Sequence, residues 1–491
     1  MFFAGDPPGR GPIRDVALAA RHKDLGLFWF ENVALSGTFV LAIIDEHGRD
    51  VTASGLHLGG SEHNDALVAP PVDGEMALPA LISPVWSRVR RTNDLRPDEV
   101  HEPGEDVPIG AVLDPESGPE AAVAVALLGT TEQHELGSTL RLDWSLGTNT
   151  DAFRRTLPLS YVTDAPYLAH LRDAFVNMRR GLVLNDGKLW GPSSRQALHG
   201  DTNLVFFPEF VRRGDSLAFV GVGPVRPHRS RKIPVLLCNA GAGNFGHWLM
   251  NTLYSVLLLR ESALAGEVEF VSPPLTAFQR ESLDVLGLLN CVVEVSDHHL
   301  LFDRILFPSP LSTSTNARPP RQALELFAWI KERVRASVGA HSVRLPGDGR
   351  RLYLTRRGAV SGRNMVNELE LIVRLRALGF ACIAPHELTF SQEVSAFAEA
   401  EIIVSAMGAS LVNQAFAPPG CDIVEITTSA YHSNEFLFLA NLLGNRWTRA
   451  MVGVRPEDKR HVGNFDYNVP VEEIVGRIEC ITEEREGSMR R

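Results

Sequence analysis

The chain has few of the features that place a protein across a membrane. None of its apolar runs reaches the roughly 18 consecutive residues that a membrane-spanning helix needs. Residues 1–15 lack the basic segment and the apolar core of a secretion signal. We therefore expect a cytoplasmic protein without a transmembrane segment. Peripheral association with a membrane through a partner stays open.

Cysteine and positive charge are also scarce. The 491 residues include 5 cysteines, far apart in the chain, which indicates buried free thiols in a reducing compartment. Lys and Arg number 48 against 59 Asp and Glu, so the net charge is −11 at pH 7. Nucleic-acid binders normally carry a basic domain, and we predict no nucleic-acid partner. A local basic site for a phosphorylated ligand is compatible with this charge balance.

The distribution of strand-like and helical patterns predicts an α/β protein with a β-rich accessory domain at its N-terminus. Strand-like runs separated by Gly, Pro and acidic loops occupy residues 27–52, 121–131 and 138–146. Strands and helices alternate after them, as in a parallel sheet with crossover helices, and a Pro- and Gly-containing linker at 341–349 divides this part. The predicted domains are residues 1–164, 165–345, 346–454 and 455–491. We expect the last residues, 483–491, to be disordered.

The stretch 388–426 carries the clearest pattern for a ligand site. Thr389 and Gln392 have the spacing of a capping box at the start of a helix. A short β-branched strand follows at 401–404, and the small-residue loop 405–410 leads from it into another helix. Helix N-termini bind anions, and ligands of open α/β sheets bind at the carboxyl ends of strands. A strand-to-helix turn without a ligand is about equally compatible with this pattern.

Two further segments carry candidate side chains. His247 and Asn251 are four residues apart on a predicted helix, so both would project from one face near its N-terminus. Arg356, Arg357 and Arg363 belong to the loop after a predicted strand, where guanidinium groups could hold a diphosphate. Each segment alone also fits a structural role: the first as a cap of the preceding loop, the second as a solvated loop.

Together these segments resemble glycosyltransferase family 61 over roughly residues 170–450. The resemblance rests on NFGHWLMN (244–251), on YLTRR with GRNMVNELELIVRL (353–375), and on the stretch 388–426, in the order and spacing of the family's motifs. It implies a GT-B-like pair of Rossmann-type domains behind the accessory domain. It also implies a nucleotide-sugar donor as co-substrate with no separate cofactor, and a glycan or lipid-linked acceptor in polysaccharide biosynthesis.

The resemblance also implies which residues form the site. His247 and Asn251 would be the catalytic positions facing the donor. The donor-binding residues would be Arg356, Arg363, Asn367, Glu368, Ser405, Met407, Gly408, Ala409, Asn413 and Glu425. No Asp-x-Asp pair occurs in the chain, so the commonest mark of a metal-dependent transferase is missing and we expect no metal.

The chain departs from the family pattern at three of these positions. Asn251 stands where the family usually has an acid, Met407 where it usually has a histidine, and Ser405 where it usually has a glycine. Since an amide cannot remove a proton from the acceptor, His247 is the most plausible base of an inverting transferase here. The alternative is a catalytically impaired member that binds glycans or nucleotides. A dinucleotide oxidoreductase is the weakest hypothesis, because we expect no Gly-x-Gly-x-x-Gly run after a strand, and cofactor absorbance would be needed to support it. The sequence does not indicate an oligomeric state.

Overall fold

The structure is a computed structural model. It describes residues 121–137, 158–185, 188–193, 225–239, 241–310, 318–337, 349–358, 363–428, 433–453 and 464–489. It also describes the shorter stretches 2–5, 14–15, 20–22, 27–29, 38–43, 56–59, 94–95, 100–101, 107, 109–113, 140–146, 210–213, 216–219 and 459–461. The predicted linker 341–349, apart from Gly349, lies outside these residues.

The chain divides into two compact units. Unit 1 comprises Met1–Glu102, Arg172–Arg229 and Asp297–Asp303. Unit 2 comprises Pro103–Leu171, Ser230–Ser296 and Arg304–Arg491. The domain boundaries expected at residues 164, 345 and 454 stay predictions.

Unit 1 is built from short strands in its described part. An antiparallel sheet orders Arg14–Asp15, Phe2–Gly5, Thr38–Ile43 and Leu56–Gly59. Further antiparallel pairs join Ala20–His22 to Leu27–Trp29, and Ser216–Phe219 to Phe210–Arg213 and Asp94–Leu95. Leu182–Asn185 pairs with the end of Tyr167–Asn177 and with Lys188–Trp190, which pairs with Val100–His101. Val225–Pro227 pairs with the start of His299–Pro308.

Unit 2 contains four strands, here named the N-terminal sheet, that form the parallel part of a larger mixed sheet. Its strand order is Val292–Glu294, Val268–Ser272, Ile233–Leu236 and His299–Pro308. In chain order this is 3-2-1-4, the order of the first half of a Rossmann fold. The helices around it are Phe245–His247, Trp248–Thr252, Leu253–Leu264, Ala277–Val285, Leu289–Cys291 and Ala323–Ala336.

A second sheet of unit 2, the C-terminal sheet, is parallel throughout. Its six strands are ordered Leu140–Leu146, Arg446–Val452, Asp422–Thr428, Ile402–Ala406, Arg351–Leu354 and Ala381–Ile383. The last five have the flavodoxin-like order 2-1-3-4-5, whose switch point lies between Arg351–Leu354 and Ile402–Ala406. Its helices are Glu368–Ala377, Pro385–Glu387, Phe390–Phe397, Ala409–Phe416, Glu435–Leu443 and Val471–Met489.

The remaining described elements of unit 2 are small. Helix Ile109–Leu113 precedes strand Val123–Leu127, which pairs with the start of Tyr167–Asn177, and Glu132–Glu135 pairs with Ser160–Thr163. Arg363–Met365 pairs with Asn464–Tyr467, which also pairs with Lys459–His461.

The strands of the C-terminal sheet are apolar because both of its faces are covered. Leu352 and Leu354 belong to a core shared with the helices of the N-terminal sheet, whereas Tyr353 between them belongs to a second core against Glu368–Ala377 and Val471–Met489. Buried parallel strands read as continuous apolar runs for this reason. The prediction of an α/β fold with parallel sheets is confirmed.

Several local predictions differ from the structure. The strand-like run 138–146, expected in the accessory domain, forms the edge strand of the C-terminal sheet, because Leu140–Leu146 pairs with Arg446–Val452. Helix Val471–Met489 continues through most of the segment expected to be disordered. The five cysteines are free, but only Cys238 and Cys421 are buried as expected, whereas Cys291 and Cys382 are half-buried and Cys480 is exposed. Within the described residues, no helix is both long and apolar enough to cross a membrane.

Candidate functional site

A pocket of about 550 Å³, its open mouth included, lies in unit 2. Its lining comes from the segment after the first strand of the N-terminal sheet, from the segment after Ile402–Ala406, and from helix Glu435–Leu443. The lining residues are Asn244, Gly246, His247, Met250, Arg363, Met407, Gly408, Ala409, Val412, Glu435, Phe436 and Leu439. Five positions predicted from the sequence, His247, Arg363, Met407, Gly408 and Ala409, therefore share one pocket.

His247 is held at the pocket by its own helix start. Asn244 caps this short helix, because its Oδ1 accepts hydrogen bonds from the amides of Gly246 at 2.9 Å and His247 at 3.4 Å. The imidazole lies against Gly241, where a Cβ atom would come within 2.7 Å of the ring. Burial lowers the pKa of His247 below its ordinary value of 6.5, since a protonated ring would lose hydration. This shift favours the neutral form of the ring.

Asn251 contacts this imidazole from a wider helical turn. Residues Trp248–Thr252 form a π-helix, where the sequence predicted a continuous α-helix, and such turns frequently occur at functional sites. The Asn251 Nδ2 lies 3.3 Å from Nδ1 of His247. Its Oδ1 is buried and has no hydrogen-bond partner among the described residues. The predicted pairing of the two side chains on one face is present.

The opposite wall of the pocket begins where strand Ile402–Ala406 ends. Met407 is buried, and its sulfur accepts a hydrogen bond from the hydroxyl of Thr427 at 3.2 Å. Gly408 follows in extended conformation and leads into the helix Ala409–Phe416, which is a 3₁₀-helix where an α-helix was predicted. This turn lies beside the switch point of the C-terminal sheet, the location at which open α/β sheets bind ligands.

The side chain of Arg356 packs against Gly408. Its Nη1 donates a hydrogen bond to the carbonyl of Met407 at 3.2 Å, and a Cβ atom on Gly408 would collide with that same nitrogen. Only glycine leaves room for this arrangement. The guanidinium group is thus placed at the carboxyl end of the two strands that flank the switch point.

Glu368 fixes the backbone that carries Arg356. Its buried Oε1 accepts hydrogen bonds from the hydroxyls of Tyr353 and Thr355, both at 2.9 Å, and from the Arg356 amide at 3.1 Å. Burial and the Glu368 carboxylate raise the pKa of Tyr353, which keeps its phenol protonated as the donor. Glu368 therefore supports the loop through the Arg356 backbone, and it is not among the residues that line the pocket.

The remaining predicted donor residues also lie outside the pocket lining. The Asn367 amide exchanges two hydrogen bonds with the backbone of Val469, at 2.8 and 2.9 Å. Ser405 is buried in its strand, and its hydroxyl donates to the carbonyl of Ala406. Asn367 therefore connects the start of helix Glu368–Ala377 to the segment before helix Val471–Met489, whereas Ser405 bonds within its own strand.

Asn413 and Glu425 are fully buried. Asn413 Nδ2 donates to Oε2 of Glu393 at 2.6 Å, which ties the helix Ala409–Phe416 to the helix before it. Glu425 pairs with Arg449, whose Nε lies 3.3 Å from Oε2 of Glu425. Both contacts support elements that line the pocket.

Sequence reasoning missed the third wall of the pocket. Glu435 and Phe436 begin helix Glu435–Leu443, and Leu439 follows one turn later. Because this helix is strongly apolar, its pattern resembles that of an ordinary core helix. The one polar residue in its first turn, Glu435, was the available hint.

The expectation that no Gly-x-Gly-x-x-Gly run follows a strand is wrong, because the loop before His247 contains one. Residues 241–246, GAGNFG, have the spacing Gly-x-Gly-x-x-Gly after a strand, which is the spacing of dinucleotide-binding loops. Gly246 packs closely on Ala409, since a Cβ atom there would lie 3.3 Å from that residue. The next strand ends at Ser272, however, and not at the acidic residue that binds ribose in dinucleotide-binding folds.

The carboxylate of Glu281 joins a helix beside the N-terminal sheet to a helix beside the C-terminal sheet. Glu281, on helix Ala277–Val285, accepts hydrogen bonds from the amides of Phe390 at 2.8 Å and Ser391 at 3.1 Å. A carboxylate at a helix N-terminus is stabilised by the helix dipole. In the part of the chain that the structure describes, no group of three or more His, Cys, Asp or Glu side chains could hold a metal ion.

Comparison with protein families identifies the segment that contains most of the pocket. The family model described as Glycosyltransferase 61 matches residues 245–424, from the helix of His247 to the strand after the Met407 turn. A search of curated proteins finds no match to the chain.

Proposed function

We propose that this chain, which belongs to glycosyltransferase family 61 over residues 245–424, is an inverting and metal-independent enzyme that takes its sugar from a nucleotide donor. The observation that carries the proposal is that the matched segment supplies most of one pocket, whose lining combines a histidine, an arginine and a strand-to-helix turn. The two parallel sheets of unit 2 would be the two halves of a GT-B enzyme.

Arg356, Arg363 and the turn Met407–Ala409 would bind the diphosphate of the donor. The guanidinium groups can match phosphate oxygens, and the start of helix Ala409–Phe416 offers backbone amides toward the pocket. As the sugar leaves, negative charge builds up on the diphosphate, and these groups would stabilise it without a metal. Glu368 would contribute by holding Arg356 in place.

His247 would remove the proton from the acceptor hydroxyl. A base for this step has to be neutral at the working pH, and burial of His247 favours that state. If the Asn251 amide rotates by a half turn, its Oδ1 accepts a hydrogen bond from Nδ1–H of His247. The Nε2 lone pair is then available for the proton, and the buried Oδ1 gains a partner.

The acceptor we propose is a glycan or a lipid-linked sugar in polysaccharide biosynthesis, reached from the cytoplasm. This assignment follows the family and the soluble composition of the chain rather than a feature of the pocket. Peripheral attachment at a membrane surface would bring a lipid-linked acceptor to the enzyme.

Calorimetric titration with UDP, GDP, CMP and dTDP tests the donor site. We expect saturable binding of one nucleotide, lost in the Arg356→Ala, Arg363→Ala double variant. Arg357→Ala is the matched control, because Arg357 belongs to the same loop but is exposed, whereas Arg363 lines the pocket and Arg356 donates a hydrogen bond to the Met407 carbonyl. No binding of any nucleotide by the wild type would refute the donor site.

The transfer step is tested with the nucleotide identified in this way. We expect His247→Ala to abolish transfer from the matching nucleotide sugar while nucleotide binding is retained. Unchanged turnover in that variant would remove His247 from the mechanism. Nucleotide binding by the wild type without transfer to any acceptor would favour a binding protein instead.

A further inference from the structure

One helix beside the pocket, Ala277–Val285, is connected to two of its walls. We name the lining segment 244–250, which contains His247, the histidine wall, and the lining segment 407–412 the turn wall. Both walls and the helix belong to unit 2. A helix that holds both walls would fix the position of one relative to the other.

The helix holds the histidine wall through two buried side chains. Nε2 of Gln279 donates a hydrogen bond at 2.7 Å to a backbone carbonyl in the loop before His247. The hydroxyl of Ser282 accepts one at 2.9 Å from the indole of Trp248, the residue after His247. Gln279 and Ser282 lie three residues apart, so they share one face of the helix. The backbone on both sides of His247 is therefore tied to this face.

The turn wall is reached through Glu281, on a neighbouring face of the same helix. The Glu281 carboxylate accepts hydrogen bonds from the amides of Phe390 at 2.8 Å and Ser391 at 3.1 Å, the first two residues of helix Phe390–Phe397. The first amides of a helix have no acceptor within the helix. Phe390 and Ser391 are each 1% exposed, so water does not readily replace a lost acceptor there.

The local cap of this helix leaves those two amides to Glu281. Thr389 and Gln392 form a capping box, in which the Thr389 hydroxyl accepts a hydrogen bond from the Gln392 amide. The next amide, that of Glu393, donates to the Thr389 carbonyl. Each of the first four amides of the helix thus has an acceptor, and Glu281 supplies the acceptor for two of them.

Helix Phe390–Phe397 in turn holds the turn wall. Glu393, in the first turn of this helix, accepts a hydrogen bond at 2.6 Å from Nδ2 of Asn413. Asn413 lies on helix Ala409–Phe416, which begins within the turn wall. The side chains of Glu393 and Asn413 are both buried. A line of hydrogen-bonded elements therefore runs from Glu281 to the turn wall.

The two walls also pack directly against each other. A Cβ atom on Gly246, in the histidine wall, would lie 3.3 Å from Ala409, in the turn wall. Elements on both sides extend this contact through four phenylalanine rings, with 5.7 to 6.4 Å between the centres of neighbouring rings: Phe278, Phe245, Phe390 and Phe416. Contacts this close require a fixed separation of the walls.

We propose that Glu281 is a positioning residue, which sets the separation of the histidine wall and the turn wall before any ligand binds. Binding sites built from two lobes commonly close around their ligand by a hinge motion. Here a carboxylate beside one sheet caps a helix beside the other, and the pocket is assembled in the free protein. The consequence for catalysis rests on the proposed glycosyltransferase function, because transfer needs His247 and the donor at a defined distance.

Hydrogen exchange of the free protein tests the coupling of the walls without a substrate. In Glu281→Ala we expect the amides of residues 390–391 to exchange at least about tenfold faster, the factor that corresponds to loss of a hydrogen bond to a charged group. Residues 245–252, on the other wall, should also exchange faster, because the histidine wall loses its fixed contact with the turn wall. Strand Val268–Ser272 should be unchanged. Acceleration confined to residues 390–391, or a uniform acceleration that includes this strand, would overturn the inference.

Two matched variants separate the hydrogen bonds from other effects of the substitution. Glu281→Gln retains one carbonyl oxygen for the two amides, so its exchange rates should lie between those of Glu281→Ala and the wild type. Asp284→Ala removes an exposed carboxylate from the same helix and should behave as the wild type. Wild-type exchange in Glu281→Ala, or an effect of equal size in Asp284→Ala, would also overturn the inference.

The transfer reaction tests the consequence for catalysis. Glu281→Ala should lower kcat by roughly 10–100-fold, as expected when reacting groups are misplaced by about 1 Å. The Kd of the free nucleotide should stay within about twofold of the wild type, since Arg356 is held by Glu368 and the Met407 carbonyl rather than by Glu281.

Glu281→Gln should recover part of the lost kcat. A loss of nucleotide affinity as large as the loss of kcat would contradict a positioning role between the walls. Absence of transfer by the wild type would instead refute the proposed function, and the hydrogen-exchange result would still decide whether Glu281 couples the walls.

Discussion

Replacing Gly408 by alanine should weaken nucleotide binding by displacing a neighbouring side chain. Gly408 has a φ of 169° and a ψ of 175°, an extended conformation that alanine adopts without strain. The added Cβ atom would nevertheless collide with Nη1 of Arg356 and lie 3.3 Å from its Cζ. The backbone therefore tolerates the change, and the guanidinium group has to move.

The size of the effect follows from this geometry. To regain an ordinary contact, the Arg356 guanidinium must retreat by roughly 1 Å or more. Its 3.2 Å hydrogen bond to the Met407 carbonyl would then exceed hydrogen-bond range. If the guanidinium also binds the diphosphate, the loss of one charged hydrogen bond costs about 1.5–3 kcal/mol, or roughly 10–150-fold in Kd. The free energy of unfolding should change by less than about 1 kcal/mol, because alanine also restricts the unfolded chain.

Calorimetry and thermal unfolding measure the two quantities separately. Gly243→Ala is the matched control, since nothing lies within 4 Å of a Cβ atom at that position. If Gly408→Ala acts through Arg356, the Arg356→Ala, Gly408→Ala double variant should bind nucleotide no more weakly than Arg356→Ala alone. Wild-type affinity in Gly408→Ala, or full additivity in the double variant, would refute the reasoning.

Two pH-dependent predictions concern other buried groups. Because burial lowers the pKa of His247 below 6.5, transfer activity should persist through pH 6.5 and fall only at lower pH. The same shift affects the free energy of unfolding. The stability contributed by the neutral ring is present above pH 6.5 and is lost as pH falls through the lowered pKa. Asn251→Asp should move this acid limb upward in a pH–rate profile, and an unmoved limb would contradict contact between the two groups during turnover. Burial raises the pKa of Glu393 to about 8, against a smaller lowering by its hydrogen bond from Asn413, so the native state loses stability as pH rises from 4.5 to about 8. Glu393→Gln should remove this loss. Urea unfolding of the variant and the wild type at pH 5 and pH 8 should show a difference in the free energy of unfolding that grows with pH. A difference that is the same at both pH values would disprove the shifted pKa.

Local sequence patterns located the turn at the pocket because the interactions that form it are local. The capping box of Thr389 and Gln392 is present as predicted, with both reciprocal hydrogen bonds. The strand Ile402–Ala406 is buried along its whole length, as its β-branched run indicated. The type of helix after it could not be read from the sequence, because a 3₁₀-helix and an α-helix of eight residues share the same apolar pattern.

Contacts between distant residues set the limit of the sequence analysis. Asn367 has the spacing of a helix cap with Glu370, yet its amide bonds to Val469, far later in the chain. Glu425 was expected to bind the donor, but Arg449 on the neighbouring strand covers it. Glu435 carries no motif and reaches the pocket only through the packing of its helix. Such placements depend on tertiary structure, which periodicity and spacing do not encode.

The pairing of Leu140–Leu146 with Arg446–Val452 has a consequence for biosynthesis. The ribosome makes the edge strand first, and its partner follows only after the long intervening segment has been translated. Until then the edge strand cannot take its place in the C-terminal sheet, and sheets closed by such distant segments form slowly. During that interval, residues 140–146 are open to a chaperone that binds extended segments.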